Sequence, residues 1–357
     1  MEYERTIIER GVMHEAVHGQ PLDFATIRNP LGHSPTLSQN LEYCQGMSER
    51  ELCGEIASWL SVDADMVALG NGSDELIRAL PQIFLAPGQL CVLPIPTYFA
   101  LAQSIARHGA EILTVPTLPE NGFAYDGTFL QGLLDTIEEK QPGMVWICRP
   151  NNPTGLTMDI EALDHIAELT PGLVVVDEAY QEIVDPGNQA SAVRLLSCRS
   201  NVLVTKTFSK TFGLPEIHVG MAIGHPGVIQ KMAEVNQRQM IPERSRASAA
   251  AALIDTEHLY RVSQFIRDES TEFWNDIQNI PSIQAASRSH IGIFLLRHRE
   301  DSLHLRLKRI GIASHDYINE PGLEHMEFSR IGLQSKENNR ILLAALRAME
   351  FRQGEKL

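Results

Sequence analysis

For a chain of 357 residues the sequence is sparing in cysteine and has no long apolar run. Its five cysteines (Cys44, Cys53, Cys91, Cys148 and Cys198) lie far apart, without a C-x-x-C pair. An odd, scattered set in a large chain argues against a disulfide framework and for a reduced, cytoplasmic setting. No stretch approaches the roughly 18 apolar residues of a membrane span. The opening MEYERTIIER lacks the apolar centre of a secretory signal. Basic charge is also short: 30 Lys and Arg against 45 Asp and Glu leave a net charge of -15. Nucleic acid and anionic membranes demand basic patches, so neither is an expected partner. The balance does not exclude a small anionic substrate, which a few local groups can hold. Internal repeats and low-complexity tracts are absent too, which sets repeat architectures aside.

What is present suits an enzyme-sized fold, with 43% apolar residues to build a core. From about residue 65 short apolar runs alternate with helical periods. MVALG leads through NGSDELIRAL into a helix, and LCVLP precedes the helix TYFALAQSIARHG, with Gly109 as its stop signal. MVWIC, LVVVDEA, NVLVTKT and VGMAIG continue the series. Such Val- and Ile-rich strands predict an α/β fold, a mostly parallel sheet sandwiched by helices. Near residue 225 the rhythm gives way to long helical stretches, among them ASAAAALIDTEHLYRVSQFIRDESTEFWNDI, then to GIFLLR, FSRIGL and a last helix. The expected division is a large domain over 25–240 and a smaller α+β domain made of 1–24 with 241–357.

The stretch MHEAVHG contains H-E-x-x-H, which on a long helix would put His14 and His18 on one face as zinc ligands. Gly19 and Pro21 follow at once and end any such helix, and no third-ligand motif stands downstream. No metal is expected.

Ligands of open parallel sheets bind beyond the carboxyl ends of strands, and polar residues gather there. Ser73 and Asp74 follow MVALGNG and open a helix, whose unpaired N–H groups suit a phosphate. Thr207 and Ser209 could add donors. Asp177 ends a buried strand, where a carboxylate needs a cation or donors. Lys210, in VTKTFSK, offers an amine that could condense with an aldehyde. A phosphate cradle, an acid and an amine together match the needs of pyridoxal phosphate. Asn152 and Tyr180 could hydrogen-bond its phenolate oxygen, and Tyr98 could stack on the ring. Taken singly, each has a plainer reading: Asp177 as an ion-pair partner, Tyr98 and Tyr180 as packing aromatics, Ser73 as a helix cap.

The pieces LDFATIRNPLGHSP, GNGSDELIRAL, PTYFA, RPNNPTG, VVVDEAY, TKTFSKTFGL and RIGLQSKENNRILLAALR stand in one order over most of the chain. In that order the chain resembles the fold-type-I pyridoxal-phosphate enzymes, nearest the group holding histidinol-phosphate aminotransferase and threonine-phosphate decarboxylase. The resemblance implies Lys210 as the lysine that bonds the cofactor and Asp177 as partner of the pyridine nitrogen. It implies Asn152 and Tyr180 at the phenolate oxygen, Tyr98 as the stacking ring, and Ser73, Asp74, Thr207 and Ser209 at the phosphate. Arg330 matches the arginine that grips the substrate carboxylate. Tyr43 matches a tyrosine reaching a neighbouring subunit's cofactor, which implies a homodimer. Asn29, in the NPLG stretch, falls on the substrate side.

One position departs from that pattern. Eight residues after Lys210, where the family carries an arginine on the cofactor phosphate, stands His218. An imidazole lacks the guanidinium fork, so weaker cofactor retention is expected, or help from another cation such as Lys206. Arg28, Arg244 and Arg246 are further candidates for an anionic substrate tail, against the plainer reading of solvated surface charge. His18, in the HG pair, is a candidate substrate-side lid. The resulting expectation is an aminotransferase for an amino acid or amine with an anionic group, using a keto-acid acceptor. Decarboxylation is the alternative, since the sequence does not decide which substrate bond is broken, and a catalytically inactive binder is the reading from another class.

Overall fold

The structure, a computed structural model, describes residues 21–235, 240–317 and 320–349. A short strand β1 (Leu22–Asp23) leads in. Strands β2 (Val67–Asn71), β3 (Leu90–Ile95), β4 (Glu111–Pro116), β5 (Met144–Cys148), β6 (Leu173–Asp177), β7 (Val202–Thr207) and β8 (Val219–Gly224) then form one sheet in the order β2-β8-β7-β6-β5-β3-β4. β8 runs against its neighbours β2 and β7, and the other pairings are parallel. Every residue of β5, β6, β7 and β8 is buried. Their apolar residues follow, because helices cover the central strands on both faces; Asp177, Thr205, Lys206 and Thr207 are the buried polar residues at the ends of β6 and β7.

Helix ends obey local chemistry. Ser48 and Glu51 form a reciprocal capping box at the start of helix Glu49–Leu60. Gly109, with φ 83°, closes helix Phe99–His108, as its place in the sequence predicted. The long helical stretch expected after residue 247 is instead two helices, Glu243–Ile254 and Glu257–Ile277. Asp255 makes the break: its carboxylate accepts from the hydroxyls of Ser34 and Thr36 and from the N–H of His258.

A second sheet is antiparallel, in the order β12-β13-β10-β9, from β9 (Ile283–Ala285), β10 (Ile293–His298), β12 (His315–Asp316) and β13 (Ser329–Gly332). β1 pairs separately with β11 (Ile312–Ala313). Leu22 and Phe24 share a core with Phe273, Phe294 and Leu346. By contrast Ala247 and Ala249–Ala252 belong to the core of the large sheet. Helix Glu243–Ile254 therefore packs on the large unit, although it follows the expected boundary at 241; its small alanine faces allow that close approach. Among the described residues no helix is long and apolar enough to cross a membrane.

The chain passes from β3 outward to β4 and then returns to β5 on the other flank of β3. That reversal opens a crevice at the carboxyl ends of the strands, where such folds hold ligands.

Candidate active site

The crevice is a cavity of about 330 Å³. Ser73 and Asp74 reach it from the end of β2, Tyr98 from β3, and Asn152 from β5. Asp177 and Tyr180 come from β6, Ser209 and Lys210 from β7, and Arg330 from β13 of the small unit. Ala25, Thr26 and Ile27 form a wall between the two units. Groups scattered over more than 250 residues of sequence thus share one space because the parallel strands end side by side. Cys148 faces Asp177 across the β5–β6 register, and Asp177 faces Thr205 across β6–β7.

Asp177 is buried, and among the described residues its Oδ1 accepts only long hydrogen bonds, from the Ala179 N–H and the Thr205 hydroxyl, both at 3.3 Å. Burial is the main influence on it and pushes its pKa up to about 6. Neutral donors at that distance do not balance a buried carboxylate; a cation in the cavity would. Lys210 lies 5.7 Å from the centroid of the Tyr180 ring and donates to the Ile27 carbonyl at 3.4 Å. Burial, then the nearby Arg330 charge, lowers its pKa, while Asp74 and Asp177 pull it back up. Desolvation of this kind favours the free amine that a nucleophile or base needs.

Arg330 is buried and held on several sides. Its Nη1 donates to Asn152 Oδ1 at 3.1 Å and to the Tyr317 hydroxyl at 3.2 Å, and its Nη2 to the Ala25 carbonyl at 2.7 Å. Its Nε has no hydrogen-bond partner among the described residues. A guanidinium so fixed, with an unsatisfied edge, suits an anion. With Asn152 Oδ1 engaged by Arg330, the amide's NH2 remains to donate elsewhere. Tyr98 stands edge-on to Phe99 at 5.0 Å between centroids, and burial followed by the Asp74 charge raises its pKa to about 12. It is a neutral ring at physiological pH.

Helix Ser73–Phe84 opens at Gly72, with no side-chain cap on its first amides. Gly72 has φ 75°, a left-handed conformation that glycine tolerates. Gly220 of β8 packs directly beneath: a Cβ there would lie 2.6 Å from the Ser73 nitrogen. The close approach leaves uncapped N–H groups at the cavity edge, a ready anion site. Ser209 lines the cavity, and its backbone N–H donates to Thr207 Oγ1 at 3.1 Å. His218 lies alongside, its Nδ1 4.0 Å from where a Gly72 Cβ would stand.

Other candidates fall elsewhere. Lys206 cannot serve a phosphate here, because its Nζ is buried between Glu178 at 2.9 Å and Glu182 at 2.8 Å. Strand alternation turns it away from Thr205 and Thr207. Arg246 donates to the Met47 and Ile241 carbonyls, and Arg244 is exposed. Arg28, with a side chain 66% exposed, stands 3.9 Å from Asp23 and borders a small void of about 20 Å³ beside Lys210. Asn29 donates to the Thr211 carbonyl at 2.7 Å and so ties the wall to the lysine loop. Tyr43 is 84% exposed. His14 and His18 lie outside the described residues, among which no group of three or more metal-ligating side chains occurs. Sequence reasoning missed Thr205, Tyr317 and the Ala25 and Ile27 carbonyls. For Thr205 a signal existed, since it shares a strand face with Thr207.

The profile of the family described as aminotransferase class I and II matches residues 29–346. This chain belongs to that family. It is 29% identical over 332 residues to histidinol-phosphate aminotransferase of Methanothermobacter thermautotrophicus, covering 89% of this chain and 86% of that one. To histidinol-phosphate aminotransferase 2 of Nitrosococcus oceani it is 31% identical, over 84% of this chain and 81% of the relative. Among solved structures, histidinol-phosphate aminotransferase of Sinorhizobium meliloti in complex with pyridoxal-5'-phosphate superposes with a TM-score of 0.79 at 22% identity, covering 95% and 94% of the two chains. L-threonine-O-3-phosphate decarboxylase of Porphyromonas gingivalis gives 0.73 at 18%, covering 88% and 97%. At these identities the structural likeness speaks for the fold.

The Sinorhizobium meliloti neighbour holds pyridoxal-5'-phosphate. The residues of this chain fit that cofactor: Asp177 meets only neutral donors among the described residues, the helix at Gly72 has no side-chain cap, and Lys210 brings a desolvated amine to the same cavity.

Proposed function

We propose that this aminotransferase acts on an amino acid or amine bearing an anionic group, as the name histidinol-phosphate aminotransferase describes for its relatives, and passes the amino group to a keto acid. The observation that carries the reading is Arg330, a buried guanidinium in the same cavity as Lys210 and Asp177. When bound, pyridoxal phosphate supplies an electron sink for the charge left at the substrate's α-carbon. Asp177 would hold a proton on the pyridine nitrogen, which gives the buried carboxylate the cation it lacks. Ser73, Asp74, Thr207 and Ser209, with His218, would receive the phosphate. Asn152 and Tyr180 would donate to the phenolate oxygen, and Tyr98 would cover the ring face. Lys210 would anchor the aldehyde at rest and, once displaced by substrate, move the α-proton. Arg330 would orient the substrate through its anion. Arg28 and Asn29 would border its far side.

A homodimer in the cytoplasm completes the proposal, with the exposed Tyr43 reaching the neighbouring subunit's cofactor. A screen of amino-acid phosphates and phosphorylated amines tests it, recording keto product against carbon dioxide. Keto product that depends on an added keto acid is expected. Carbon dioxide without an acceptor would make the enzyme a decarboxylase, and neither product, with no yellow cofactor band, would make it a binder.

A further inference from the structure

Outside the cavity, at the same strand ends, lies a second polar cluster that the transfer chemistry does not touch. Arg149 follows β5, Glu178 follows β6 and Lys206 sits in β7, each at most 3% exposed. Glu178 Oε1 accepts from Arg149 Nη1 at 3.1 Å and from the Ala192 N–H at 2.7 Å. Its Oε2 accepts from Lys206 Nζ at 2.9 Å and from the Ser191 hydroxyl at 2.5 Å. Lys206 also donates to Glu182 at 2.8 Å and to Asn188 Oδ1 at 3.1 Å. Arg149 is pinned in turn by the Met158 carbonyl at 2.6 Å and Gln181 at 3.1 Å. Two cations and two carboxylates thus share one buried cluster.

We propose that this network is a positioning device: through Glu178 it locks the ends of β5, β6 and β7 together, so that Asn152, Asp177 and Lys210 keep their separation while substrates exchange. Arg149 stands three residues before Asn152, Glu178 directly after Asp177, and Lys206 four before Lys210. Buried ion pairs add little net stability over well-packed apolar residues. What short, charge-assisted bonds do provide is one defined arrangement. Arg149, Glu178, Lys206 and Glu182 are therefore positioning residues, acting through the strand ends. The inference rests on the roles given above to Asp177 and Lys210.

The test is Lys206→Met in the full-length holoenzyme, with kcat, KM, the pH midpoint of the bound cofactor's visible band and the melting temperature all measured. A fall in kcat of roughly ten- to a hundredfold is expected, because small misplacements of reacting groups are costly. KM should stay within about twofold, the band's midpoint should move, and Lys206→Arg should restore most of the rate. A lower melting temperature with unchanged kcat and midpoint would overturn the proposal. Should Lys206→Met not fold, Asn188→Gly is read the same way, with an expected fall of about two- to fivefold. It keeps the left-handed backbone at φ 55° and removes only the amide that holds Lys206. Normal turnover in these variants defeats the positioning role alone. A borohydride-reducible band surviving in Lys210→Ala would instead defeat the reading beneath it.

Discussion

Asp177 and Glu178 are adjacent, both buried, and surrounded in opposite ways. Glu178 is met by two cations and two further donors. Among the described residues Asp177 has only two neutral donors, each at 3.3 Å. A protein interior seldom leaves a carboxylate so poorly matched. The contrast teaches where to look for function: the matched acid belongs to the scaffold, and the unmatched one lines the cavity, where a cationic group of a ligand would find a partner.

The comparison breaks most sharply at Lys210, the amine that shares a cavity with that unmatched acid. Lys210→Ala should lower turnover by about a thousandfold or more and abolish the borohydride-reducible visible band. Persistence of both activity and band would remove the lysine from the chemistry.

Asp177→Asn should lower activity by roughly a hundredfold and weaken cofactor binding, yet leave the apoprotein at least as stable at neutral pH. The sign follows from linkage. Burial raises the folded-state pKa from 3.8 to about 6, so folding favours the protonated acid. Its contribution is fully present below pH 3.8 and is lost as pH rises through about 6. At pH 7 the ionised side chain costs the apoprotein roughly 3 kcal/mol. Denaturant unfolding of both apoproteins at pH 4.5 and pH 7 checks this: the variant's advantage should be clearly larger at the higher pH, and added cofactor should cancel it. An equal advantage at both would mean that Asp177 is already compensated.

Smaller effects sharpen the picture at the two ends of the cavity. Tyr317→Phe removes one restraint from Arg330 and should raise KM for anionic substrates about three- to tenfold with kcat kept; steady-state kinetics decide. His218→Arg should tighten cofactor binding by about threefold, through the forked donor that imidazole lacks. Unchanged affinity in a cofactor titration would leave His218 outside the phosphate site.

Much of the site was readable in the sequence because its groups sit in short local phrases. RPNNPTG, VVVDEAY and TKTFSK each carry a strand end and the polar residues just past it. The central strands were readable for the same reason, since MVWIC and LVVVD are buried on both faces. What escaped depends on distant pairing. Tyr317 and Ala25 reach Arg330 only after β12 and β13 have paired and the wall at 25–27 has closed over the crevice. The division of the last long helical stretch escaped because Asp255 is an ordinary residue until Ser34 and Thr36 come against it. Lys206 was misjudged for a simpler cause. Alternation along β7 sends it to the face opposite Thr205 and Thr207, information that period two in the strand already held.

Asn152 has one oxygen to give, and Arg330 holds it. Twisting the guanidinium to welcome a differently shaped anion would drag the carboxamide with it, and whatever that amide's hydrogens touch would feel the change. In the proposed roles, selectivity and reactivity would therefore be wired through a single planar group, and a substitution that retunes the grip of Arg330 would also shift Asn152.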